Sequence, residues 1–205
     1  MAGLKTTDHY HHGDLRNALL QAAELLLQER GVGGFSLRDV ARAAGVSHAA
    51  PYRHFRNKGT LLRALTGRGF ERLQAALAEA VAGQRGPEQS LIAATRVYLQ
   101  TTVQDPGMTR LMFGGVIPAQ EDDDITLRLR SVREVLVGII KAGLAVGAFR
   151  DREPQELALV AWSSMHGLAM LIDSATLDVE PDDTEQLDAL ARSIAQTVLY
   201  GISRS

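Results

Sequence analysis

The sequence predicts an all-α protein of about nine helices, and three observations lead to this fold class. Apolar residues recur every three or four positions along most of the chain, which is the period of an amphipathic helix. No segment alternates convincingly between apolar and polar residues with the period of two that a half-buried strand shows. Glycine, proline and capping residues separate the apolar stretches. The predicted helices cover about 13–30, 36–44, 47–55, 57–82, 87–104, 106–113, 125–146, 154–176 and 183–202.

Capping residues predict where the second, third and fourth helices begin. Ser36 and Asp39 have the spacing of a capping box, which predicts the start of the second helix. Gly45 can adopt the positive φ that ends this helix in a tight turn. Ser47 and Asn57 are then the expected N-caps of the third and fourth helices.

Composition narrows the class of protein. The chain has 205 residues, of which 45% are hydrophobic and 22% charged, as in an ordinary globular protein. Because it contains no cysteine, disulfides, thiolate nucleophiles and cysteine-based zinc sites are excluded. The longest apolar stretch, 158–172, is interrupted by two serines and a histidine and is shorter than the ~20 residues of a membrane span. We therefore expect a soluble, cytoplasmic protein, associated with the nucleoid if it binds DNA, and no membrane partner.

Charge is distributed unevenly along the chain. Residues 1–72 carry 11 basic and 6 acidic side chains, whereas the remainder carries 11 basic and 18 acidic ones. This asymmetry indicates an N-terminal module that faces a polyanion, joined to an acidic body.

The segment 36–55 has the pattern of a helix-turn-helix, in which two short helices cross closely at a tight turn. Ala41 is small where the helices would cross, and Val46 would fill the joint. Tyr52 and Phe55 could either pack against neighbouring helices or contact a ligand. The pattern alone also fits an ordinary helical hairpin within a bundle, so it favours DNA binding without establishing it.

The motifs around this segment resemble the N-terminal domain of TetR-family transcriptional regulators. They are Leu37-Arg38-Asp39-Val40-Ala41, Ala44-Gly45-Val46-Ser47, Tyr52-Arg53-His54-Phe55 and Arg56-Asn57-Lys58. The resemblance implies a DNA-binding domain over 1–58 with an arm at 1–12, and a helical effector-binding and dimerisation domain over 59–205. It also implies a homodimer, most often a repressor that a small molecule releases from a palindromic operator.

Site residues of the DNA-binding domain follow from the same resemblance. Base contacts are implied for Ser47, His48, Ala49 and Ala50, and phosphate contacts for Tyr52, His54 and Lys58, with Arg53 reaching a guanine or a phosphate and Arg38 the backbone. Pro51 stands where many members of the family have an aliphatic residue. Because proline has no N–H, we expect an irregular first turn of the recognition helix.

The C-terminal domain should contain an effector cavity and a dimer surface. Large adaptable side chains suit the cavity wall, although ordinary core packing is the better explanation for any one of them, and His166 could either bind an effector or satisfy a buried carbonyl. The candidate cavity residues are Tyr98, Met108, Met112, Phe113, Trp162, Met165 and His166. The Trp-x-x-x-His-Gly pattern at 162–167 resembles one group of TetR-family C-terminal domains. The expected dimer surface on the last two helices comprises Leu157, Val160, Ala161, Ser164, Leu168, Leu187, Leu190, Ala191, Ile194 and Val198.

Enzymatic motifs are not found in the sequence. It has no P-loop, no H-E-x-x-H and no G-x-S-x-G, so we expect no catalytic residues and no cofactor. The terminal histidines His9, His11 and His12 are expected to be solvated rather than to bind a metal. The sequence therefore predicts a repressor released by an unknown apolar effector. The alternatives are a DNA-binding helical dimer without a physiological ligand, and an all-α module or enzyme that is not a regulator.

Overall fold

A computed structural model describes residues 12–117 and 123–202 of the protein. The predicted arm, with His9 and His11, lies outside the described residues except for His12, at which the first helix begins. No helix of the described chain is both long enough and apolar enough to cross a bilayer.

The predicted all-α class is confirmed, and the described ranges contain no β-strand. The eight α-helices are α1 (His12–Arg30), α2 (Leu37–Ala43), α3 (Lys58–Ala82), α4 (Pro87–Gln104), α5 (Pro106–Phe113), α6 (Asp123–Ala145), α7 (Pro154–Asp173) and α8 (Thr184–Ile202).

The predicted third helix is wrong in type and length. Only Pro51–Arg53 is helical, and it forms a 3₁₀ turn. The amide of Ala50 donates to the carbonyl of Ser47, and that of His54 to the carbonyl of Pro51, so both bonds have the tighter i to i+3 spacing. Pro51 has no N–H to contribute to an α-helical ladder, in agreement with the irregular turn expected there.

Local capping was predicted correctly at two of three helix starts. The Ser36 hydroxyl accepts from the amide of Asp39 at 3.3 Å, and the Asp39 carboxylate accepts from the amide of Ser36 at 2.9 Å. Asn57 likewise accepts from the amide of Thr60 at 2.9 Å. The prediction for Ser47 is wrong, because the residue that precedes the 3₁₀ turn is Ala50, which makes no side-chain cap.

The turn after α2 is a Schellman motif centred on Gly45. Its φ is +68°, as the sequence predicted, and its amide donates to the carbonyl of Arg42. The amide of Val46 donates to the carbonyl of Ala41 at 3.0 Å, which completes the motif. This turn redirects the chain immediately before segment 47–53, in which only Ala50 and Pro51 are buried.

The chain divides into two compact units, one ending at Leu65 and the other starting at Thr66. This division and the predicted domain boundary after Lys58 both fall in the first turns of α3. In the first unit, α1, α2 and the 3₁₀ turn surround buried apolar side chains such as Leu19, Val40 and Phe55.

The second unit is built around α4. It packs against α6, α7 and α8, and α7 also contacts α6 and α8. Tyr98 on α4 is 1% exposed within this core. A close approach occurs at Gly143, where the Phe149 ring occupies the space that a Cβ would need.

Candidate DNA interface and ligand site

The segment between the turn and α3 presents polar side chains to solvent. Ser47, His48 and Ala49 are exposed, as is Arg53 in the 3₁₀ turn. Tyr52 is 52% exposed, whereas Phe55 is buried and receives the Arg16 guanidinium 5.6 Å from its ring centre. Of the two aromatic residues, Phe55 is therefore a core residue, and Tyr52 is free to contact a ligand.

Two predicted contact residues are less accessible than expected. Ala50 is only 9% exposed, because its methyl group packs into the first unit; it offers almost no surface to a base, so the implied base contact is corrected. His54 is half-buried, and its Nε2 is enclosed without a hydrogen-bond partner in the described part of the chain.

Lys58 is engaged within its own unit. Its ammonium donates to the carbonyl oxygen of Phe35 and lies 4.5 Å from the centre of the Phe35 ring. Burial lowers the pKa of Lys58, and the charge of Asp39 partly opposes this effect. Lys58 thus ties the start of α3 to the segment before α2, and one of its three donors is not available to a phosphate.

Arg38, on the first turn of α2, remains exposed. Arg42, one turn later, donates to Asp39 at 3.1 Å. The pKa of Asp39 is lowered, first by its hydrogen bonds from the side chain and backbone of Ser36 and then by Arg42. Both arginines among the predicted contacts, Arg38 and Arg53, are thus exposed, whereas Lys58 is partly buried.

A second group of predicted residues meets inside the second unit. Trp162 and His166 meet the hydroxyl end of Tyr98, Phe113 packs against the rings of both, and Phe70 packs edge-on against Phe113 with ring centres 5.4 Å apart. We call these five residues the aromatic cluster. Phe70 was not predicted as a site residue, because its position in the apolar stripe of α3 resembles that of any core residue.

Hydrogen bonds connect the three polar members of the cluster. The Tyr98 hydroxyl lies 2.8 Å from Nδ1 of His166, and Nε1 of Trp162 donates to the Tyr98 oxygen at 3.3 Å. Burial raises the pKa of Tyr98 and lowers the pKa of His166. Burial thus favours the neutral form of both side chains.

The methionines predicted for the cavity lie elsewhere in the unit. Met108 and Met112 line a groove of about 330 Å³ between α3, α4 and α5, where their sulfur atoms approach Gly69. Met165 is 1% exposed and belongs to the core. The seven predicted cavity residues are thus divided between the aromatic cluster, this groove and the core.

The ten residues predicted for the dimer surface differ in how much of each side chain is exposed. Val160 is 52% exposed, and four further residues are half-buried: Ser164, Leu190, Ile194 and Val198. The other five are buried within their own unit and have almost no area left for a partner, so they are corrected to core residues: Leu157, Ala161, Leu168, Leu187 and Ala191. Leu159 and Leu171, on α7, are 53% and 45% exposed. Leu159 was not among the residues predicted for the dimer surface.

Family models match both parts of the chain. The model for bacterial regulatory proteins of the tetR family matches residues 19–65. The model for the tetracyclin repressor-like C-terminal domain matches residues 91–195, half of the chain.

Individual relatives agree with this assignment. The repressor KstR2 of Rhodococcus jostii is 25% identical over 92% of this chain and 91% of its own length. The nucleoid occlusion factor SlmA of Haemophilus ducreyi is 29% identical over 51% of this chain, and the match spans about half of that relative, 52%.

A solved structure provides a match over nearly the whole chain. It is a protein of unknown function from Rhodococcus sp. RHA1, with 34% identity and a TM-score of 0.84, covering 96% of this chain and all of that one. From the fold, the family models and these relatives it follows that the chain belongs to the TetR family of bacterial regulatory proteins and is a DNA-binding transcriptional regulator, not an enzyme.

Proposed function

We propose that the protein is a homodimeric repressor that binds a palindromic operator and is released from it by a small apolar effector. The observation that carries this proposal is that Ser47, His48, Ala49, Tyr52 and Arg53 are exposed directly after the tight turn at Gly45. The aromatic cluster, in the other unit, supports the effector part of the proposal.

The proposed DNA contacts are those that the structure leaves accessible. Ser47, His48 and Ala49 contact base edges, where the methyl group of alanine suits a thymine methyl. Arg53 binds a guanine or a phosphate, and Arg38 binds the DNA backbone. Tyr52 donates its hydroxyl to a phosphate.

Packing restricts the two remaining side chains predicted to contact phosphate, Lys58 and His54. Lys58 can still offer its other donors to a phosphate, although it serves first to hold the start of α3. His54 is half-buried and its Nε2 is enclosed, so a phosphate contact of His54 would have to use Nδ1.

Dimerisation is proposed through the outer faces of α7 and α8. On α7, Val160 and Ser164 lie four residues apart on the same face, and Gly167 one turn later is also exposed. On α8, Leu190, Ile194 and Val198 form a similar stripe. Two-fold pairing of these helices would place two reading segments on one palindromic site.

The dimer is tested by Val160→Asp, which places a charge on this face without disturbing the core. We expect sedimentation to show a dimer for the natural protein and a monomer for this variant. Leu127→Asp is the matched control, because Leu127 is 58% exposed on α6, outside the proposed interface. A Val160→Asp protein that remains a dimer would contradict the proposed interface.

DNA binding is tested by the salt dependence of its affinity. With roughly three to four phosphate contacts in each subunit of the dimer, the logarithm of the affinity should fall with the logarithm of the salt concentration at a slope of about −6. Fluorescence anisotropy with a labelled duplex gives this slope when the salt concentration is varied about sixfold, from about 50 to about 300 mM. A flat dependence would rule out binding through the basic side chains of this face.

A further inference from the structure

The hydrogen bonds of the aromatic cluster fix the position of one proton. The indole N–H of Trp162 can only donate, so the Tyr98 oxygen accepts from it at 3.3 Å. The Tyr98 hydroxyl is then left to donate to Nδ1 of His166, 2.8 Å away. The indole N–H, the phenol and Nδ1 of the imidazole are all paired in this arrangement, and the proton of the neutral imidazole must be on Nε2.

The Nε2–H of His166 is a donor without a partner in the described chain. The hydrogen bond of this imidazole runs through its other nitrogen, to Tyr98. His166 is half-buried, and its Nε2 is not one of the fully enclosed unpaired polar atoms of the described residues, so this donor keeps some accessible surface. The Phe113 ring lies beside it, with centroids 4.8 Å apart, and Trp162 lies on the same face of α7. His166 therefore offers one neutral donor, its Nε2–H, beside the rings of Phe113 and Trp162.

We propose that the effector is an apolar molecule with a neutral hydrogen-bond acceptor, of the kind found in ketones and esters, and that this acceptor binds the Nε2–H of His166. The proposal rests on the proposed function, since it names the chemical class of the effector for that same site. The apolar skeleton contacts Phe113 and Trp162, and the carbonyl oxygen satisfies the remaining donor of the cluster.

A carboxylate fits this site less well than a carbonyl. An anion beside Nε2 favours the protonated imidazole, in which both nitrogens donate. The Tyr98 oxygen would then accept from both His166 and Trp162, and its own proton would be left in a core where Tyr98 is 1% exposed. A buried donor that loses its acceptor is unfavourable, and the five residues of the cluster include no lysine or arginine to offset the charge of the anion.

Three probes of the same shape separate these possibilities. They are 4-phenylbutan-2-one, which carries a ketone, butylbenzene, in which a methylene replaces the carbonyl, and 3-phenylpropanoate, in which a carboxylate replaces the methyl ketone. Trp162 is the only tryptophan of the chain, so its fluorescence reports binding at the cluster directly.

For the natural protein we expect the ketone to bind about fivefold more tightly than butylbenzene and about tenfold more tightly than the acid, as for the gain or loss of one hydrogen bond. The comparison needs no variant and does not depend on the folding of a mutant. Equal or tighter binding of the acid, or no change in Trp162 fluorescence with any probe, would overturn the proposal.

Two substitutions of His166 test the assigned donor. His166→Gln keeps one donor and one acceptor at this position, so the preference for the ketone over butylbenzene should persist within about threefold. His166→Met removes both, and the preference should disappear. Gln84→Met, which removes an exposed amide donor of the same unit, is the matched control and should bind the probes as the natural protein does. A preference that survives His166→Met would overturn the assigned role.

The same preparation is assayed for binding to DNA. If sequence-specific binding is retained but the ketone is not preferred, the effector class is wrong and the proposed regulator stands. If the ketone is preferred but no specific DNA is bound, the donor at His166 is correct and the proposed function fails.

Discussion

In the unit that ends at Leu65, polar side chains pair with the backbone at helix starts, whereas in the unit that begins at Thr66 three polar side chains pair with one another inside the core. Ser36 and Asn57 cap α2 and α3 at the surface. Tyr98, Trp162 and His166 share hydrogen bonds within the aromatic cluster.

This difference matches the two kinds of ligand that a regulator must bind. Surface caps fix the backbone and leave basic side chains such as Arg53 in solvent, where they can meet a polyanion. A hydrogen-bonded core network uses most of its donors internally and leaves one of them for an apolar molecule. Substitutions that disrupt one of the two arrangements should therefore leave the other intact.

The largest effect is expected from removing the accessible basic side chains of the first unit. The double variant Arg38→Ala/Arg53→Ala should weaken operator binding by about a hundredfold, since both lose charge-assisted contacts. Anisotropy measures this loss, and the response of Trp162 to a ligand should be unchanged. Arg130→Ala/Arg133→Ala, two exposed arginines of α6, removes the same charge from the other unit. Equal losses in both double variants would show that net charge, and not this face, determines binding.

The next effect concerns the core network. Tyr98→Phe leaves Nε1 of Trp162 and Nδ1 of His166 without their partner, so we expect a loss of about 2 kcal/mol in the free energy of unfolding. Urea denaturation followed by circular dichroism measures it. Tyr200→Phe is the control, because Tyr200 is 89% exposed. If both variants are equally stable, the network does not contribute to the stability of the core.

A smaller loss is expected at the turn of the first unit. Gly45→Ala places a side chain at a φ of +68°, where the strain should cost about 1 kcal/mol. Nothing lies within 4 Å of the added Cβ, so the cost comes from the backbone alone. Gly33→Ala, which also has free space but no positive φ, should not be destabilised. Similar results for the two variants in thermal unfolding would argue against a strained turn.

The smallest effect is a pH dependence at the start of α2. The folded pKa of Asp39 lies below its ordinary value of 3.8, so its stabilising contribution is present above that value and is lost as the pH falls through the folded pKa. Asp39→Asn should therefore reduce the difference in unfolding free energy between neutral and acidic solution. Denaturation of both proteins over a pH series measures this change, and an unaltered acid dependence in the variant would refute the role of Asp39.

Features that depend on neighbouring residues could be predicted from the sequence. The capping box at Ser36, the cap at Asn57 and the positive φ of Gly45 each involve groups a few residues apart, so their chemistry is visible in the sequence itself. The irregular turn at Pro51 follows in the same way, although its extent as a 3₁₀ turn of three residues did not.

Features that depend on tertiary packing could not be predicted. Apolar residues occur on nearly every face of α7, so periodicity did not separate the outward Val160 from the buried Ala161. The contact of Lys58 with the carbonyl of Phe35 joins residues 23 positions apart, and the partners Tyr98 and His166 are 68 positions apart. Their residue types suggested function, but only the fold shows which groups they pair with.

The central claim, that a two-fold symmetric dimer reads a specific DNA sequence, is tested most directly by selecting bound duplexes from a random pool at physiological salt. Our account predicts recovery of a single palindromic motif, with its two half-sites about one helical turn apart or a multiple of it. Recovery of no motif, or of a motif without two-fold symmetry, would contradict the claim.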